Sequence, residues 1–152
     1  MKIFEITDKP PRIRLGGFGR QPSKNYTEPF LKDYIEITQE HPFNSKARIY
    51  NNAVIEIYSR RNEIHISDVL STQPRSGAGT AAIKMLKKLA DKHNIKLDLT
   101  AKSYHTDQKF VTDTETLVRW YRKLGFIIDD EFIDDEEDLE GVEQVDMKYL
   151  PN

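Results

Sequence analysis

The chain has no cysteine among its 152 residues, which excludes disulfides, thiolate metal sites and a cysteine nucleophile. Its four histidines, His41, His65, His93 and His105, form no spaced pair, so no metal is expected. No apolar run approaches the ~18 residues of a membrane span. The opening Met1-Lys2-Ile3-Phe4-Glu5-Ile6 has an acid where a signal peptide would be apolar. These absences lead to the expectation of a cytoplasmic protein with no membrane association. Repeats are missing too, and no linker is rich enough in Pro, Gly or Ser to divide the chain. A single domain over 1–152 is expected, long enough to bury a core without staples.

Charge is plentiful, at 32% of residues, and unevenly placed. Ten of the 25 acids lie between Asp129 and Glu143, a stretch with no Lys or Arg, so the rest of the chain, with all 23 bases, is basic. Such a run serves as a solvated loop or as a patch that attracts a cation.

Patterning predicts a strand over 2–6, then a Pro- and Gly-rich loop over 8–25 that is placed to lie over a pocket. Thr27 is positioned to cap a helix carrying Phe30, Leu31, Tyr34 and Ile35. Strands at 47–50, 53–59 and 63–70 are separated by Asn51-Asn52 and Arg60-Arg61-Asn62, giving an antiparallel meander. The third strand, Ile64-His65-Ile66-Ser67-Asp68-Val69-Leu70, runs into Pro74-Arg75-Ser76-Gly77-Ala78-Gly79-Thr80. A helix to about His93 follows, with Ala82, Ile83, Leu86, Leu89 and Ala90 on one face and Lys84, Lys87, Lys88 and Lys92 on the other. A strand over 95–101 comes next. A helix capped by Thr112 or Asp113 then carries Leu117, Val118, Trp120, Tyr121 and Leu124 and stops at Gly125. Strands over 126–128 and 142–150 close the chain.

A strand, a glycine turn and a helix start make an anion site, because glycine lets the backbone approach a ligand and the first helical N–H groups point at it. The same arrangement also serves as a plain connection. The turn is neither a Walker A loop, lacking Gly-Lys-Ser/Thr, nor the three-glycine dinucleotide fingerprint, having Ala82 in the third place.

The order of this turn, the following strand, and a helix ending in Trp120-Tyr121-Arg122-Lys123-Leu124-Gly125-Phe126 resembles the GCN5-related N-acetyltransferases. The likeness covers about 47–150 and is strongest over 63–126. It implies an α/β (α+β) fold with a mixed, mostly antiparallel central sheet and helices on both faces. It also implies an N-acetyltransferase that moves acetyl from acetyl-CoA to a primary amine by direct attack in a ternary complex, without a metal. The pyrophosphate would fall to Arg75, Ser76, Gly77, Ala78, Gly79 and Thr80, and the pantetheine arm to the backbone of Val69 and Leu70. Thr114 stands where the family has Asn near the cofactor, and Pro74 where it has Gln or Arg. Tyr121 maps to the acid that protonates the leaving thiolate, though an aromatic pair on such a helix also serves as core packing.

Three residues of one strand are candidates for the general base. Glu63 maps to the glutamate of the histone-type members, His65 offers an imidazole on the same strand face, and Asp68, on the opposite parity, is a third option. The acidic stretch favours a cationic acceptor, either a small-molecule amine or a lysine side chain. A binding or structural protein that keeps the fold and has lost catalysis is the alternative reading. The lysine face of the helix prompts a nucleic-acid reading, which the acidic stretch opposes. A second copy of the chain, as in a homodimer, is left open as a partner.

Overall fold

The computed structural model describes residues 26–73, 76–102, 113–131, 133 and 139–152. The expected strand over 2–6, the loop over 8–25, Arg75, Thr112 and the centre of the acidic stretch lie outside them.

Among the described residues, three helices and seven strands follow in the order α1 (Glu28–Ile37), β1 (Gln39–Glu40), β2 (Ala47–Tyr50), β3 (Ala53–Arg60), β4 (Glu63–Ser71), α2 (Ala78–His93), β5 (Lys96–Lys102), α3 (Thr114–Lys123), β6 (Ile127–Ile128) and β7 (Gln144–Tyr149). The strands form one sheet in the order β1-β2-β3-β4-β5-β7-β6. Every neighbouring pair is antiparallel except β4 and β5. That parallel pair is joined by α2, since parallel neighbours need a crossover longer than a turn. The expected mixed, mostly antiparallel sheet with helices packed on it is the fold observed. The element positions expected from patterning hold within the described residues. The exception is β1, a two-residue edge strand with no apolar residue to announce it.

Alternation explains which sheet face is covered. Ile64 and Ile66 of β4, Leu97, Leu99 and Ala101 of β5, and Val145, Met147 and Tyr149 of β7 are all buried. Against them α2 sets Ala82, Ile83, Leu86, Leu89 and Ala90, and α3 adds Val118. Each large aliphatic side chain so buried stabilises the fold by about 1.5–3 kcal/mol.

Polar clasps fix the helices. Asp33 of α1 accepts from Lys92 Nζ at 2.8 Å and lies 2.7 Å from His93 Nε2 at the end of α2. The Lys92 bond first, then the His93 one, holds the Asp33 carboxyl below the usual aspartate range. Tyr149 donates to Asp91 Oδ1 at 2.7 Å, tying β7 to α2. Arg48 of β2 donates to the Thr38 hydroxyl at 2.6 Å and to the Thr38 carbonyl at 3.1 Å, closing the C-terminus of α1. Asp113 caps α3 by accepting from Thr116 N at 2.7 Å.

Candidate functional site

The parallel pairing of β4 with β5 runs only from Glu63↔Lys96 to Ile66↔Leu99. Beyond it β4 continues to Ser71 and β5 to Lys102. Each stays paired on its outer side, β4 to β3 through Ser71 and β5 to β7 through Lys102. The sheet therefore opens in its middle, and among the described residues no strand lies between the facing backbone edges of 67–71 and 100–102. Unpaired strand edges are a template for another extended chain.

An irregularity sits at the opening. Glu56 pairs with Asp68 and the next residue, Ile57, pairs with Ile66, so Ser67 is one residue too many and has no partner on β3. This bulge reverses the parity of β4. Val69 and Ser71 join the helix-covered face opposite Ile55 and Ala53, while Asp68 and Leu70 join Glu63 and His65 on the other face. Asp68 thus lies on the same face as the other two candidate bases, contrary to what strict alternation from Ile64 predicts.

The opening leads into a cleft of about 640 Å³. Its walls are Ile66 to Val69 and Ser71 of β4, Gly77 to Thr80, Leu99 to Lys102 of β5, and Leu117, Trp120 and Tyr121 of α3. The glycine turn closes one end. Gly77 has φ of +77°, a left-handed conformation that glycine adopts without strain, and open space surrounds the direction its side chain would take. Ser71 Oγ accepts from Gln73 N at 3.3 Å and lies 3.2 Å from Ser76 Oγ, bracing the strand end against the turn. The Ala78 N–H goes to Ser76 Oγ at 3.3 Å, and the first backbone bond of α2 is Ala81 N to Gly77 O at 3.0 Å. Among the described residues, no protein acceptor meets the N–H groups of Gly77, Gly79 and Thr80. A helix start with free donors beside a cleft suits a phosphate-bearing ligand.

α3 lines the cleft beside the glycine turn. Trp120 Nε1 donates to Thr80 Oγ1 at 3.3 Å, locking α3 to the start of α2. Tyr121 is half-buried, with its ring 4.7 Å from that of Trp120 and 5.7 Å from that of Phe126. Gly125, at φ of +97°, ends the helix and turns the buried Phe126 inward. Aromatic packing and a place at the cleft are thus combined in Tyr121.

Of the residues singled out from sequence, Val69, Gly77, Ala78, Gly79, Thr80 and Tyr121 border this cleft, and Ser76 braces it. The Leu70 side chain does not, because the bulge turns it to the far face, where it is 44% exposed, while its backbone stays on the open edge of 67–71. Thr114 does not either: it is buried at the first turn of α3, and its hydroxyl donates to Glu143 O at 2.8 Å. Glu63 and His65 lie at the closed end of β4. Four residues of strand, roughly 13 Å, separate Glu63 from the bulge.

Glu63 and His65 belong to a separate cluster. His65 Nδ1 is 2.6 Å from Asp98 Oδ1, and Tyr58 stacks on the imidazole with centroids 5.2 Å apart. Arg60 Nη1 lies 3.5 Å from Asp98 and 3.9 Å from Glu63. The Asp98 carboxyl, sharing a hydrogen bond with Glu63, raises the Glu63 pKa above the ordinary glutamate value, and burial adds to the effect. Asp68 is raised too, first by burial of its carboxyl among cleft atoms and then by the Glu56 charge across the ladder. Asp68 nonetheless remains exposed to solvent. The signal for it was present in the sequence. Two successive polar residues, Ser67-Asp68, interrupt the alternation between Ile66 and Val69, as an inserted residue does.

Among the described residues, no group of three or more His, Asp or Glu is arranged to hold a metal ion. Among the same residues, no helix is long and apolar enough to cross a membrane.

No protein-family model matches the chain, and no curated protein matches it. Solved structures do. The anti-CRISPR protein AcrVA5 aligns with a TM-score of 0.48 and 22% identity, over 66% of this chain and 93% of that one. The ribosomal-protein-S18-alanine N-acetyltransferase from Escherichia coli aligns with a TM-score of 0.47 and 14% identity, over 80% and 86%. The PaiA N-acetyltransferase from Thermoplasma acidophilum, in complex with coenzyme A, gives 0.44 and 14%, over 68% and 58%. At these scores and identities none of them carries an activity over to this chain, whose own cleft has to supply the reading.

Proposed function

We propose that this chain transfers acetyl from acetyl-CoA to a primary amine, with a cationic amine as acceptor. The observation that supports this best is the opening between β4 and β5 beside a helix start with unclaimed donors. Acetyl-CoA makes three demands that features of this cleft match. Its pyrophosphate needs convergent N–H groups, offered by Gly77, Gly79 and Thr80. Its pantetheine arm, a flexible chain with two amides, needs an open strand edge, offered by β4 around Val69. Its sulfur, as it leaves, needs a proton donor, and the Tyr121 hydroxyl is on the side chain that walls the same cleft.

Acetyl-CoA brings an activated thioester, so the protein has only to orient it and move protons. The amine nitrogen attacks directly, held with its lone pair toward the carbonyl carbon in a ternary complex. Cysteine, a common relay for acyl groups, is missing from the chain. A cationic acceptor is favoured by the acids from Asp129 to Glu143 and by Asp68 and Glu56 near the opening.

Calorimetry with acetyl-CoA, on wild type and on Gly77→Ala, is the first test. Binding on the order of micromolar is expected, weakened about tenfold in the variant by the strain of a left-handed alanine. Mass-spectrometric assay of polyamines, aminoglycosides and lysine peptides then looks for acetyl transfer. Binding without transfer to any of them supports the alternative of a binding protein, and absent binding rejects the enzyme reading and favours a structural protein.

A further inference from the structure

Resting on the acetyltransferase reading above, we propose that Asp68, and not Glu63 or His65, takes the proton from the acceptor ammonium. The extra residue Ser67 places Asp68 where the two strands part. From there it borders the same cleft as Tyr121, on the sheet face away from the helices. A base and an acid are thus brought to one cavity from the two layers between which an acyl group has to pass.

What surrounds Asp68 suits the task. Glu56 of β3 faces it across the ladder, and Lys102 of β5 and Tyr121 of α3 border its cleft. Among the described residues, no Lys or Arg lies within ion-pairing distance of either Asp68 or Glu56. Like charges set directly opposite on a ladder are destabilising, and an arriving ammonium relieves that repulsion. The upward shift of the Asp68 pKa makes it a stronger base than an ordinary aspartate. His65, by contrast, is held by Asp98 and covered by Tyr58, and Glu63 shares its hydrogen bond with Asp98.

The proton balance is complete without another reactant. Asp68 accepts one proton from the R–NH3+ acceptor and later returns it to water. The freed lone pair forms the C–N bond as the C–S bond breaks. Tyr121 gives its proton to the departing sulfur and regains one from the nitrogen, leaving amide and thiol.

The test is Asp68→Asn, which keeps shape and removes the base. With an acceptor amine that wild type acetylates, kcat/KM at neutral pH is expected to fall about 100-fold or more. The acidic limb of the pH–rate profile should disappear, while the Kd for acetyl-CoA stays within about twofold of wild type. Asp68→Glu should restore part of the rate, and Glu63→Gln should leave rate and profile unchanged. Activity of Asp68→Asn within about threefold of wild type, with the acidic limb kept, overturns this assignment alone. Wild type that binds acetyl-CoA yet acetylates no amine overturns it together with the enzyme reading.

Discussion

The two halves of β4 share a strand but not an environment. From Glu63 to Ile66 the strand has a neighbour on each side, alternates strictly, and sends Ile64 and Ile66 into the core. From Ser67 to Ser71 it has β3 alone, contains a bulge, and borders a cleft. The closed half serves the fold, and the open half leaves backbone groups that a ligand can use. Polar residues follow the same division. In the closed half Glu63 and His65 are spent on Asp98 and Arg60, whereas in the open half Asp68 faces Glu56 across the ladder.

The sharpest way to break this contrast is truncation in each half. Ile64→Ala removes a fully buried side chain and is expected to cost about 2–5 kcal/mol in urea unfolding. Leu70→Ala, on the exposed far side of the open half, should cost about 0.5 kcal/mol or less. Equal costs would dissolve the distinction.

A smaller effect is expected at the turn that follows the open half. Gly77→Ala places a Cβ on a left-handed residue, at a cost of about 1–2 kcal/mol. Because the space around it is open, the loss comes from backbone strain and not from a clash. Thermal unfolding should show it as a modest fall in Tm.

Removal of Asp68 should act in the opposite sense. Its pKa is raised in the folded protein, so between the ordinary aspartate value and the raised one the folded state binds more protons than the unfolded state. Stability therefore falls as pH rises through that window, and the cost persists at neutral pH. Asp68→Asn is expected to match or slightly exceed wild type in Tm at pH 7, as befits an acid kept for function. A clear loss of Tm would mark it as structural.

The Asp33 clasp, far from either half, gives the smallest effect and the reverse sign. Its pKa is lowered, so its contribution is present above the ordinary aspartate value and is lost as pH falls through the lowered one. Asp33→Asn should lower Tm slightly at pH 7, with the difference vanishing in acid.

Most of the fold was legible because its signals are local. The meander follows from the Asn51-Asn52 and Arg60-Arg61-Asn62 turns, and α2 from its apolar stripe. The lining of the cleft was legible where backbone makes it, at Gly77 to Thr80, and at Tyr121, just ahead of the helix stop. It was obscured where register decides. Glu63 and His65 sit at positions in β4 that a resemblance picks out, but which half of the strand faces a cleft depends on where β5 leaves it. Nothing local to 63–71 encodes that departure. A single inserted residue turns the Leu70 side chain to the far face, and the Thr114 hydroxyl bonds Glu143, 29 residues away in sequence.

Amide hydrogen exchange, with and without saturating acetyl-CoA, tests the division of β4 most directly. The account predicts slow exchange throughout Ile64 to Ile66 in both states, with new protection on ligand addition confined to Ser67–Ser71 and Ser76–Thr80. No added protection at those residues, or protection gained elsewhere on the sheet, would contradict the assignment of the opening as an acyl-CoA site.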